Sequence, residues 1–243
     1  MATINVKVPI KPLILPVNWV KTRGGVTDVI QKTWDKYGDI IKKVSELTKV
    51  SPEIITCFIA VENTALNEKE SHGSTAKILN SIVGLMQWNR VYAWEGLEIE
   101  KNKGRLSKAE EEMLNSYGIF FKANSKGVFK VSGSAFEPKV GIQTPMKLSV
   151  AINPRLNILI GAIKIGQMSD STWANVGGEF RLDRVIVGYN TGLFSPDFKT
   201  SKASTDISYY KKLNSETEGY LHKMLGKDGA LDVATSDLKT LFS

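Results

Sequence analysis

Cysteine is almost missing from this chain. Its 243 residues hold one, Cys57, so no internal disulfide can form. That cysteine lies in the apolar run of residues 54–61, which makes it a core thiol rather than a nucleophile. Histidine is nearly as scarce. His72 and His222 stand far apart without cysteine partners, which argues against a zinc site. No apolar run reaches the ~18 to 20 residues that span a bilayer, and the longest, residues 54–61, has the length of a core helix. The first nine residues lack the basic start and unbroken apolar core of a secretory signal. The expectation is therefore a chain made without export, or a mature form. Internal repeats and low-complexity tracts are also missing. Lys and Arg exceed Asp and Glu by 32 − 25 = 7, and such a surface attracts polyanions. The basic residues are scattered, however, with no dense Arg/Lys run interleaved with aromatics, so no nucleic-acid partner is expected.

What is present suits one packed domain with an arm. Hydrophobic content of 42% and charged content of 23% match an ordinary globular chain. Residues 1–26 alternate apolar and polar, and Pro9, Pro12 and Pro16 forbid a central strand, so they read as an extended arm ending at Gly24-Gly25. Thr27 or Asp28 caps a helix on which Ile30, Trp34, Tyr37, Ile41, Val44 and Leu47 recur at helical spacing. Ser51-Pro52-Glu53 opens a second helix: a cap hydroxyl, a first-turn proline, and an acid at the positive helix end. This helix is apolar nearly all round, and Glu62 and Asn63 fall at its end.

Residues 64–81 read as a polar loop with a helical turn at 76–79. Gly84 permits a tight turn into Leu85-Met86-Gln87-Trp88. Ser107-Lys108-Ala109-Glu110 is a capping box, and the apolar segments flanking Asn124-Ser125-Lys126-Gly127 suit a β-hairpin. Residues 132–152 read mostly as loop. Further helices are expected from Pro154 toward Met168, over 180–187, and over 215–225. After Gly226 the tail is polar, with a short amphipathic piece at 236–242. The sum is a mainly α domain with a small β-hairpin insert.

Glu62 is the residue with the most chemistry in it. A carboxyl that ends an apolar helix is in a setting that holds its proton near neutral pH. Breaking a glycosidic bond needs such a proton on a poor leaving oxygen. From position alone, an exposed helix-end glutamate in a surface salt bridge is an equal reading. Four later segments favour the acid: Gly84-Leu85-Met86-Gln87, Asn153-Pro154-Arg155-Leu156-Asn157-Ile158, Gly188-Tyr189-Asn190-Thr191-Gly192, and Glu216-Thr217 followed by Tyr220-Leu221.

At these residues, in this order, the chain resembles the soluble lytic transglycosylases. The resemblance covers residues 27–225, with an insert at about 89–152 that matches poorly. It implies a lysozyme-like (goose-type/lytic transglycosylase) helical fold for 27–225, between an arm of 1–26 and a tail of 226–243. It implies cleavage of the MurNAc-β-1,4-GlcNAc bond of peptidoglycan with Glu62 as general acid and base, leaving 1,6-anhydro-MurNAc ends. Tyr189 would face the acid, and Met86, Gln87, Asn190, Glu216 and Ser81 would line the glycan groove. Each has a plainer reading: core for Met86, a packing side chain for Tyr189, a turn brace for Asn190, and a helix-dipole acid for Glu216. Asn157 reads as structural. Asn63 stands where the family has Ser, and Ser81 and Ser74 both suit the serine that precedes the Gly-Leu-Met-Gln turn. Trp88 and Trp94 stack on sugar or pack in the core.

No second acid is singled out; Glu68, Glu70, Glu95 and Asp183 are candidates only by default. The anhydro route needs none, and no metal or organic cofactor is called for. The alternatives are a hydrolytic muramidase of goose-lysozyme type and a non-catalytic wall-binding or virion structural protein. The expected partners are peptidoglycan strands and, through the arm, phage virion proteins, which places the chain in a virion or at the host periplasm and wall.

Overall fold

The computed structural model describes residues 23–75, 77–172, 174–176, 179–191 and 215–242. The arm through residue 22 and Gly192 of the Tyr-Asn-Thr-Gly segment lie outside these residues. The described chain is mostly helical, with short antiparallel strand pairs. None of its helices is long and apolar enough to cross a membrane. Two compact units are present, and α1 (Arg23–Thr48), α2 (Pro52–Glu62) and α6 (Pro154–Ser169) contribute residues to both.

One unit comprises residues 37–55 and 62–164. Its three-stranded antiparallel sheet has the order β1 (Ser71–Thr75), β2 (Ile78–Val83), β3 (Trp88–Asn89). The polar loop expected at 64–81 is thus largely a hairpin, and where a helical turn was expected at 76–79 the described residues 78 and 79 belong to β2. The reason for the difference is local. Gly73 has φ +70° and the register shifts between His72 and Ser74, so a bulge breaks the alternation by which a strand is recognised.

The capping box forms as expected at the start of α4 (Lys108–Ser116), after α3 (Ala93–Asn102). Ser107 Oγ accepts from Glu110 N at 3.2 Å, and the Glu110 carboxylate accepts from Ser107 N at 2.6 Å. The hairpin of β4 (Phe120–Ala123) and β5 (Phe129–Ser132) follows, with Asn124 Oδ1 accepting from the amides of Lys126 and Val128. Residues 133–147 have little regular structure and hang instead on Arg90. This guanidinium is 5% exposed. It donates to Glu137 at 2.9 Å, to the Met146 carbonyl at 2.7 Å, and to the carbonyls of Asn80 and Leu79. One buried cation with four acceptors thereby joins the hairpin tip to the long connection, which leads to α5 (Leu148–Ala151).

The other unit comprises, among the described residues, 23–36, 56–61 and those from 165 on. It includes the strand pair β6 (Asn175–Val176) and β7 (Glu179–Phe180), then α7 (Leu182–Thr191), α8 (Ser215–Leu225), α9 (Ala230–Ser236) and a 3-10 turn (Lys239–Phe242). Helix α8 packs on α7 and α9. Helix α1 begins earlier than its sequence signals, running through Gly24 and Gly25. The Arg23 guanidinium explains this by donating to Asp228 at 2.7 Å, Asp232 at 2.8 Å, and both carboxylate oxygens of Asp237. Tertiary hydrogen bonds here outweigh the helix-breaking tendency of two glycines. The tail after Gly226 is likewise ordered by tertiary contacts. Phe242 meets the Trp34 ring edge-on at 4.7 Å.

Candidate active site

Eight residues of α2, from Ile54 to Val61, are buried, Cys57 among them. Ser51 Oγ accepts from Ile54 N at 3.4 Å and starts the helix. Glu62 is its last residue and keeps partial exposure. Asn63 ends it. Its side-chain oxygen accepts from Asn67 N at 2.9 Å, while its NH2 donates to the carbonyls of Asn67 at 2.8 Å and Gly84 at 3.2 Å. A serine hydroxyl has one proton to donate and an amide has two. The asparagine at this position therefore lets one side chain hold both its own loop and the turn at Gly84.

That turn is held from the other side by Asn157. Its Oδ1 accepts from Met86 N at 2.8 Å, its NH2 donates to the carbonyls of Val83 and Ala151, and its own carbonyl accepts from Trp88 Nε1 at 2.9 Å. Asn157 is structural, as expected, and Trp88 is a core residue. Gly84 has φ +76°, and a Cβ there would lie 2.2 Å from Asn157 Nδ2, so both the backbone and the space require glycine. One helical turn after Asn157, Gly161 admits the Met86 side chain; a Cβ would fall 2.3 Å from its sulfur. The close approach at Gly161 is therefore made by a side chain of this turn.

Gln87 is strained and incompletely bonded. It holds φ +46° without being glycine. Its Nε2 donates to the Gly84 carbonyl, the group that Asn63 also reaches. Its Oε1 is shielded from solvent and has no partner among the described residues. A buried acceptor left open is uncommon and calls for a donor. Met86 is fully buried and Ser81 nearly so. Their side chains meet protein, and the Ser81 hydroxyl accepts from Thr75 Oγ1 at 3.1 Å. Ser74 is exposed on β1.

Lys164 was not anticipated. It lies on α6, seven residues after Asn157 and three after Gly161, which puts all three on one helix face. Burial pushes its ammonium down from the ordinary 10.5 to about 8, and the charge of Glu62 acts the other way. That attraction is mutual, so Glu62 does not face an apolar wall alone. The clue in the sequence was a lone lysine in the otherwise apolar segment 158–165.

The remaining candidates belong to the other unit. Tyr189 and Asn190 lie in the last turn of α7, which extends past the expected end at 187 and replaces the expected turn. The run Val185, Ile186, Val187 and Tyr189 is buried, and that packing carries the helix through Gly188. The Tyr189 ring is 4% exposed and lies 4.6 Å from that of Phe58, which also lies 6.5 Å from that of Tyr220. Asn190 Oδ1 accepts from Thr217 Oγ1 at 3.1 Å, which ties α7 to the first turn of α8, where Glu216 is exposed.

Two of the default second acids are occupied. Asp183 is buried against Arg181 at 2.7 Å, and Glu68 accepts from Tyr37 Oη at 2.7 Å. Glu62, Ser81, Met86 and Gln87 thus belong to one unit, and Tyr189, Asn190 and Glu216 to the other. No family model and no curated protein matches this chain.

Proposed function

We propose that the chain is a peptidoglycan lytic transglycosylase with a lysozyme-like fold and Glu62 as its general acid and base. One observation carries the reading. The only acid that ends the buried helix α2 is followed by Asn63, which bonds the Gly84 carbonyl of the Gly-Leu-Met-Gln turn, so the two strongest motifs are one hydrogen-bonded assembly. The open acceptor of Gln87 in the same assembly suits a sugar hydroxyl.

In this reading the Glu62 carboxyl gives its proton to the oxygen leaving C1 of the muramoyl sugar, and that C1–O bond breaks. The C6 hydroxyl of the same sugar then forms a bond to C1 and returns its proton to Glu62. The sugar's own C6 hydroxyl replaces water, so one carboxyl serves both steps, in keeping with the partners that Asp183 and Glu68 already hold.

The test is mass analysis of muropeptides released from purified peptidoglycan by wild type and by Glu62→Gln. Anhydro products, lighter by one water than muramidase products and lost in the variant, are expected. Reducing ends that depend on Glu62 would make the enzyme a hydrolytic muramidase.

The charge of Glu62 acting on Lys164 favours a second reading, a non-catalytic wall-binding or virion structural protein in which the two serve the fold. In that case neither protein releases product and both bind wall equally.

A further inference from the structure

The hairpin of β4 and β5 has two outer edges, and they are treated differently. Its register pairs Phe120 with Ser132, Phe121 with Val131, Lys122 with Lys130 and Ala123 with Phe129. Asn124 N donates to the Val128 carbonyl at 2.9 Å. Hydrogen bonds between antiparallel strands recur at every second pair, so the next ones fall at Lys122 and Phe120, and the backbone groups of Phe121, Ala123, Phe129 and Val131 point outward. On β5 that outward row is taken up by α3. Asn102 accepts from Phe129 N at 2.8 Å and donates to the Phe129 carbonyl at 2.9 Å, and Glu98 accepts from Val131 N at 2.9 Å. On β4 the equivalent amides and carbonyls, those of Phe121 and Ala123, have no partner among the described residues, and Ala123 is exposed. An open edge of this kind is a template for another strand.

Charge decides which strand. Residues 119–132 include three lysines and no acid. Lys130 is paired with Glu98 at 2.8 Å. Lys101, which lies over the rings of Phe121 and Phe129 at 5.8 and 4.7 Å, is paired with Glu111 at 2.6 Å. Lys122 and Lys126 are exposed and have no ion pair among the described residues. Strand alternation puts Lys122 on the same face as Phe120, which is 44% exposed. A second copy of the chain, pairing edge to edge about Lys122, would set lysine against lysine. Like charges directly opposite are destabilising, whereas an acid in that place is stabilising.

We propose that the open edge of β4 is a docking site for an extended acidic segment of a partner protein, which adds to the hairpin as an antiparallel third strand. Its backbone exchanges hydrogen bonds with Phe121 and Ala123, and these supply affinity without regard to sequence. Its side chains supply the choice: a Glu or Asp lies opposite Lys122, and an apolar residue two positions on covers Phe120. The site lies wholly within the unit of residues 37–55 and 62–164. It uses neither Glu62 nor the turn at Gly84, so it stands apart from the proposed glycan chemistry.

The experiment is an NMR titration of the isotope-labelled full chain with an end-blocked peptide, Glu-Thr-Glu-Thr-Val-Thr, taken to millimolar concentration, and with its counterpart Lys-Thr-Lys-Thr-Val-Thr. The acidic peptide should move the Phe121 and Ala123 amide signals downfield and leave those of Phe129 and Val131, already bonded to α3, in place. Lys122→Glu should weaken its binding by roughly threefold or more and turn the preference toward the lysine peptide. Ala123→Pro removes an outward donor at a position where an edge strand tolerates proline, and should weaken binding by roughly fivefold. Phe121 and Ala123 signals that stay in place overturn the proposal, as does an equal response to the two peptides. Wild-type affinity in folded A123P makes the hairpin a patch for any polyanion and overturns strand addition. Should A123P not fold, the charge reversal decides: a K122E chain that still prefers the acidic peptide overturns the proposal.

Discussion

Asn157→Ala should be among the most damaging single changes outside the reacting groups. The side chain is fully buried and makes three hydrogen bonds: one accepted from Met86 N at 2.8 Å, and two donated to the carbonyls of Val83 and Ala151 at 3.1 and 3.0 Å. Alanine leaves one amide and two carbonyls without these partners. An orphaned buried donor costs roughly 1 to 3 kcal/mol, and a carbonyl with a second lone pair costs less. The sum is about 3 to 5 kcal/mol, a large share of the ~5 to 15 kcal/mol that holds an ordinary domain together. Asn157→Asp should be no better, since it keeps the acceptor for Met86 and turns an oxygen toward two carbonyls.

Gly84→Ala supplies a cross-check. Its new methyl falls on the Asn157 amide, so its cost in the N157A background should be smaller than in wild type. Urea unfolding measures all four proteins, followed in parallel by tryptophan fluorescence and circular dichroism because the chain has two compact units. A loss below about 1 kcal/mol for N157A, or strict additivity with G84A, would refute the reasoning.

Two further outcomes follow from local geometry. Gln87→Gly removes the left-handed strain at φ +46° whereas Gln87→Ala keeps it, so the glycine variant should be the more stable of the two by about 1 kcal/mol. Equal stabilities in urea would contradict this, and both variants should release less muropeptide than wild type. Arg23 holds the carboxyls of Asp232 and Asp237 below the ordinary range, chiefly through its hydrogen bonds to them. Groups depressed on folding stabilise above their unfolded value, about 3.9 for Asp, and lose that contribution as pH falls through the folded values. Arg23→Gln should therefore lower the thermal midpoint at neutral pH, and the gap to wild type should close below about pH 4. A gap that does not change with pH would show that Arg23 acts through packing alone.

Several elements were legible because their causes are local. Ser51-Pro52-Glu53 starts α2, the Ser107/Glu110 pair starts α4, and Asn124 folds the connection between β4 and β5. The end of α2 at Glu62 was legible from where its apolar run stops. Three features were misread where a distant partner or an irregular backbone intervened. The β1–β2 hairpin was hidden by the bulge at Gly73, the early start of α1 depends on aspartates more than 200 residues away, and α7 runs on through Tyr189 because its residues are buried.

The candidate site divides in the same way. Its motifs and their order were visible as residue types, as was the need for glycine at position 84. The purpose of Asn157 was visible only as structural, since the amide it binds is 71 residues away. Lys164 was passed over because a lysine's meaning lies in what surrounds its ammonium.

By itself the sequence determined the caps of α2 and α4, the turns at Gly84 and Asn124, and the helix-ending carboxyl, since these depend on groups within one or two turns along the chain. Only the tertiary structure decided which buried polar groups are satisfied, that Gln87 Oε1 is left open, and which carboxylate charge acts on Lys164. Desolvation and Coulomb energies depend on distance in space, and Lys164 feels its burial and the charge of Glu62 only after folding.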